Sequence, residues 1–137
     1  VAEKMGTNDG QGIGGLNMPD DKLARLLRRF AAAATAHHQA MEAMNEKGAA
    51  THARVISGLY GSIIGEGEAG RAALLALVDD ANPVVAGMAA VYSIHYNSER
   101  CLAVLSRIAL ESGLLGFRAG AAVERWKRGE WSSPEDD

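Results

Sequence analysis

The chain has 137 residues, 47% hydrophobic and 5% aromatic, with 14 Lys+Arg against 17 Asp+Glu and a formal net charge of -3. That length suits one domain with a core large enough to fold without a metal or disulfide. The balance argues against nucleic acid, which wants a basic face, and no run approaches the ~18 apolar residues of a membrane span.

Residues 1–17 crowd Gly6, Gly10, Gly12, Gly14 and Gly15 with little to bury, so they read as a disordered leader, or as residues left by expression or by an early start site. Gly10, Gly12 and Gly15 match the spacing G-x-G-x-x-G. No strand precedes them, so a dinucleotide fingerprint does not follow. A helical domain is expected over residues 18–131. Pro19 suits a first helical position, and Asp20 and Asp21 suit the positive end of a helix dipole. Leu23, Leu26, Leu27, Phe30, Ala34, His37, Met41 and Met44 recur at three- and four-residue steps, one apolar stripe that Gly48 should stop.

A second helix is expected from about Thr51 to Ile64, with Val55, Ile56, Leu59, Tyr60, Ile63 and Ile64 apolar. Gly58 and Gly61 inside it suggest close approach of a neighbour, since glycine costs up to ~1 kcal/mol in a helix interior. A third helix spans about Glu68 to Asp79. Asn82 and Pro83 form an N-cap and first-position pair for the fourth, which carries Val84, Val85, Met88, Ala89, Val91 and Tyr92. Asn97 and Ser98 interrupt before a fifth helix with Leu102, Leu105 and Ile108. Ser112 and Gly113 interrupt before a sixth with Leu115, Phe117, Ala119, Ala122, Val123 and Trp126. Residues 132–137 end in an acidic tail. No segment alternates long enough for a strand. The expectation is an all-α fold of about six helices, stacked as antiparallel pairs.

The segment LLALVDDANPVVAGMAAVYSI, Leu74 to Ile94, resembles a HEAT repeat unit. Its first helix closes on Leu77 to Asp80, Asn82 and Pro83 make the turn, and Ala89 and Ala90 let the second helix approach. The arginine usual after the valine is absent, with Ala86 in its place. More widely, LARLLRRFAAAATAHHQAM, EAGRAALLALVDDANPVVAGMAA and SERCLAVLSRIALESGLLGFRAGAAVERWKRGEW resemble a small bacterial HEAT-like family, domain of unknown function number twenty-nineteen. The resemblance covers about Leu23 to Trp131. It implies a compact multihelical fold and no established activity. Some small HEAT-like bacterial families neutralise toxins, which makes an immunity-type role an expectation by analogy.

Chemistry-bearing residues are few. His38 and Glu42 lie four apart on one helix face, half of a helical metal site, and His52 can approach across the hairpin. His37 and His38 point about 100° apart, so they do not share one ion easily; solvated histidines on a polar face are the simpler reading, and no metal or other cofactor is expected. His95 suits a helix C-terminus. Cys101, the one cysteine, fits a reducing cytoplasm and reads as a buried structural thiol. The basic clusters Arg25, Arg28, Arg29 and Arg125, Lys127, Arg128 read as solvated faces beside acids.

The leading functional reading is a HEAT-like protein-interaction module, bound to another protein through the face of the second, fourth and sixth helices. Arg54, Tyr92, Arg118, Glu124, Arg125 and Trp131 are its candidate contacts, aromatics and arginines being enriched at binding hot spots. Two alternatives stand beside it. One is a small enzyme or a metal- or ligand-binding protein with a site near His37, His38 and His52. The other is a structural homodimer that covers an apolar end face.

Overall fold

A computed structural model describes residues 19–132 and 134 of the chain. The expected leader, with its glycine spacing, and most of the acidic tail lie outside the described residues.

The fold is all-α: α1 (Pro19–Glu42), α2 (Glu46–Ile64), α3 (Glu68–Ala76) with a 3-10 turn (Leu77–Asp79), α4 (Pro83–Ser93), α5 (Ser98–Ile108) and α6 (Gly113–Lys127). Among the described residues there is no strand. Asparagine does most of the punctuation. Asn45, Asn82 and Asn97 each accept a hydrogen bond from a backbone N–H of the helix they open, those of Gly48, Val84 and Arg100. This satisfies donors that a helix N-terminus leaves orphaned. Asp80 accepts from the Asn82 N–H and shapes the turn before α4.

Two boundaries differ from the sequence reading. α1 stops at Glu42, and Met44 takes a left-handed φ of 59°. Gly48 therefore lies inside α2, which starts five residues before Thr51 because Asn45 caps it. Met44 is consequently not part of the buried stripe; it is 87% exposed.

α1 packs along α2. α4 is the hub, in contact with α1, α3, α5 and α6. Its Val85, Ala86, Ala89, Ala90 and Tyr92 are all buried, as befits a helix apolar on nearly every side. Phe30 of α1 meets the Tyr92 ring edge-on at 5.8 Å, and Tyr60 of α2 lies 4.7 Å from the same ring. α6 packs on α5 through Ala119, Ala122 and Val123, facing Leu105 and Ile108.

The turn between α3 and α4 is tied to α5 by an arginine. Arg100, at the start of α5, donates to Asp79 of the 3-10 turn. The glycines also exchange roles. Gly58 and Gly61 face open space, so no neighbour approaches them. Close approach occurs instead at Gly70 and Gly116. A Cβ at Gly70 would strike the Ile63 carbonyl oxygen, and one at Gly116 would strike that of Glu111.

Candidate functional site

α6 packs on α5 and touches α4, but makes no extended contact with α1 or α2. The gap between the α1–α2 pair and α6, floored by α4, is a cleft of about 520 Å³. Helical spacing brings one stripe of each helix to it. α1 supplies Ala34, His37 and His38, and α2 supplies Ala53, Ile56 and Ser57. Val84, Gly87, Met88, Val91 and Tyr92 of α4 form the floor, and Leu115, Arg118, Ala122 and Arg125 of α6 the far wall. Trp131, Ser132 and Pro134 border it beyond the end of α6. The chain turns back there because Gly129 takes a φ of 71°. Trp131 then rests edge-on against Trp126, 5.8 Å between centroids, with Arg125 over its other side at 5.8 Å.

The cleft is mostly apolar, with a cationic share. Arg118 is half-buried and Arg125 exposed. Neither has an ion-pair partner among the described residues, whereas Lys22, Arg71, Arg100 and Arg128 all do. No aspartate or glutamate is among the described residues that line the cleft. Burial foremost, and the neighbouring Arg125, disfavour charge on Arg118, although a guanidinium stays protonated at any ordinary pH.

His37 and His38 are each 8% exposed, so the expected solvated face is not what forms. α1 packs on α2 along its length. Burial, then Arg118, His52 and His38, push the His37 pKa below the ordinary imidazole value. Its neutral form is thereby favoured. The Nδ1 atoms of both histidines and Nε1 of Trp131 are buried without a hydrogen-bond partner among the described residues. His38 Nε2 lies 3.3 Å from a Glu42 carboxylate oxygen, the i,i+4 pairing read from the sequence. At the floor, the Ser57 and Tyr92 hydroxyls are hydrogen-bonded at 3.1 Å.

The six candidate contact residues divide. Tyr92, Arg118, Arg125 and Trp131 line the cleft. Arg54 is exposed on α2 and donates to Thr51, while Glu124 faces solvent on α6 and pairs with Arg128. The expected face of α2, α4 and α6 therefore does not gather all six, and α1 contributes where the sequence reading left it out. Ser57, Met88 and Leu115 were not singled out either. The available signal was the i, i+3, i+4 spacing of Val84, Gly87, Met88 and Val91.

The remaining candidates fall outside the cleft. Cys101 is fully buried in the core, and burial raises its thiol to about 11, against a smaller opposing effect of Arg100. His95 lies past the end of α4 with its ring edge-on to Trp126 at 5.5 Å. Among the described residues no three His, Cys, Asp or Glu side chains converge in a metal-binding group. No described helix is long and apolar enough to cross a membrane. Comparison with family models, curated proteins and solved structures finds no match to this chain.

Proposed function

We propose that the chain is a binding protein whose working site is the cleft floored by α4, and that it takes a small apolar ligand there. One observation carries the reading: four helices leave a concave, largely apolar space of about 520 Å³ with a few polar groups on its wall. Small-ligand sites have this composition and span ~300–1,000 Å³. The cleft contains His37 and His38 of the alternative site near His37, His38 and His52, whereas His52 is not among its described lining residues. Binding is favoured over chemistry because the one thiol is buried with a high pKa and, among the described residues, no carboxylate lines the cleft beside His37.

The neutral fluorophore N-phenyl-1-naphthylamine tests this. Saturable one-to-one enhancement is expected for the parent, and its loss in Ala121→Trp, a half-buried wall position, with the thermal melt kept. Enhancement that does not saturate, or that Ala121→Trp leaves intact, refutes the reading.

The HEAT-like protein-interaction module remains a second reading, favoured by a different observation. Leu110 and Phe117 are 87% and 75% exposed at the α5–α6 end, and Phe117 lies at the cleft mouth beside Arg118. A toxin-neutralising form of it rests on a fold-level analogy with other small HEAT-like families, and a homodimer would use the same exposed apolar residues. A photo-crosslinking residue at position 117 tests both. Adducts with a second protein support the module and adducts with a second copy the homodimer; labelling no different from that at exposed position 29 of α1 counts against both.

A further inference from the structure

We propose that the ligand of this cleft is a medium-chain apolar carboxylic acid, its hydrocarbon body along α4 and its carboxylate held by Arg118, with Arg125 as the second cation. The inference rests on the reading of the cleft as a ligand site and adds the chemistry of the occupant.

Charge complementarity is the first argument. The chain as a whole is acidic, at -3, yet the described lining holds two arginines, two histidines and no acid. Drawing a guanidinium partly out of water without a carboxylate partner is costly, and an anion bound beside it removes that cost. Burial is the main cause of the depressed pKa of His37, and the nearby Arg118 cation adds to it.

Hydrogen-bond demand is the second. The indole Nε1–H of Trp131 is a donor only, and it is buried on the cleft border with no acceptor among the described residues. A carboxylate offers two acceptor oxygens: one for a guanidinium, and one for the indole N–H once Trp131 turns enough to open that atom to the cleft.

The third argument selects the kind of anion. His37 is biased toward its neutral form and His38 is engaged with Glu42, so the arginines are the cations left for a ligand. Ile56, Met88, Val91, Leu105, Ile108 and Leu115 surround them with hydrocarbon. A bare phosphate would match the arginines but leave the hydrocarbon of the lining without an apolar partner. A monoanion on an apolar body matches both halves of the site.

The test titrates the full chain with decanoate, 1-decanol and decyltrimethylammonium, each below its aggregation concentration. Binding is followed by the backbone amide resonances of Gly87, Arg118 and Ala122 and by the Trp131 indole N–H. Decanoate should bind one-to-one, at least about tenfold tighter than decanol, the scale of a charge-assisted hydrogen bond. Decyltrimethylammonium should bind weakest. Octanoate should bind roughly tenfold more weakly than decanoate, at about three- to fourfold per buried methylene. Arg118→Gln should abolish the preference for decanoate over decanol, while Arg118→Lys should keep most of it. Equal binding of decanol and decanoate to the parent overturns the carboxylate assignment and leaves the ligand cleft standing. Equal binding of octanoate and decanoate overturns the burial of the chain. If none of the probes moves the cleft resonances, the assignment and the reading beneath it both fall. These outcomes are read on the parent, so they hold even if Arg118→Gln does not fold.

Discussion

One methyl group should destabilise the protein at Gly116 and stabilise it at Gly58. Both glycines lie inside helices, where alanine is intrinsically better by ~0.8–1.0 kcal/mol. At Gly58 nothing lies within 4 Å of the added carbon and the position is exposed, so that gain should be kept. At Gly116 the same carbon strikes the carbonyl oxygen of Glu111 and comes within 3.3 Å of the Ala109 oxygen. Both obstacles are backbone, so no rotamer relieves them; the turn that joins α5 to α6 must move. Overpacking of this kind costs up to ~3 kcal/mol, which leaves a net loss of about 2 kcal/mol after the gain in propensity. An unfolding entropy of ~2.1 cal/mol/K per residue over residues 19–132 comes to ~240 cal/mol/K, so each kcal/mol moves Tm by about 4 °C. Thermal melts followed by circular dichroism should therefore show Gly58→Ala up by ~3–4 °C and Gly116→Ala down by ~8 °C. Gly61→Ala should follow the first and Gly70→Ala the second. A Gly116→Ala protein that melts above the parent would refute the packing described at the α5–α6 turn.

Three further outcomes are expected. Because the His37 pKa is depressed in the folded state, the unfolded chain binds more protons. The stabilising effect of neutral His37 is complete above the unfolded value of ~6.5 and is lost as pH falls through it toward the folded value. The drop in Tm between pH 7.5 and 5.5 should shrink in His37→Asn, and an unchanged drop would count against this role. Cys101, buried with a thiol raised to about 11, should resist iodoacetamide at pH 8 in the folded protein and react once guanidinium unfolds it; rapid native labelling would contradict that burial. Trp126 is half-buried, contacting both His95 and Trp131. Trp126→Ala should thus cost roughly half of the ~3–5 kcal/mol typical of a buried tryptophan. A double-mutant cycle with Trp131→Ala should show a coupling of ~0.5–1.5 kcal/mol; strict additivity would mean that the two rings do not rest on each other in solution.

The helix count and most of the boundaries were legible in the amino-acid order, because caps and breakers act within a few residues of themselves. Asn82 and Pro83 start α4, Asn97 starts α5, and Gly113, at φ 79°, marks the turn into α6. Core positions on strongly one-sided stripes, Leu23, Leu26 and Phe30 in α1 or Leu105 and Ile108 in α5, were legible for the same reason: a helix repeats every 3.6 residues wherever it packs. Whether a given stripe is covered, and by what, was not. Phe117 has apolar chemistry but is mostly exposed, whereas His37 and His38 are polar and buried. The glycines that permit close packing are Gly70 and Gly116, each set against a carbonyl from the preceding segment, and not the pair that composition alone picked out in α2. The cleft itself has no sequence signature. Its wall is collected from residues as far apart as Ala34 and Trp131, and it exists because α6 packs on α5 and leaves a gap against α1 and α2. Local periodicity can orient a side chain around its own helix axis; only the placement of the other helices decides whether that direction meets protein, solvent or an open cleft.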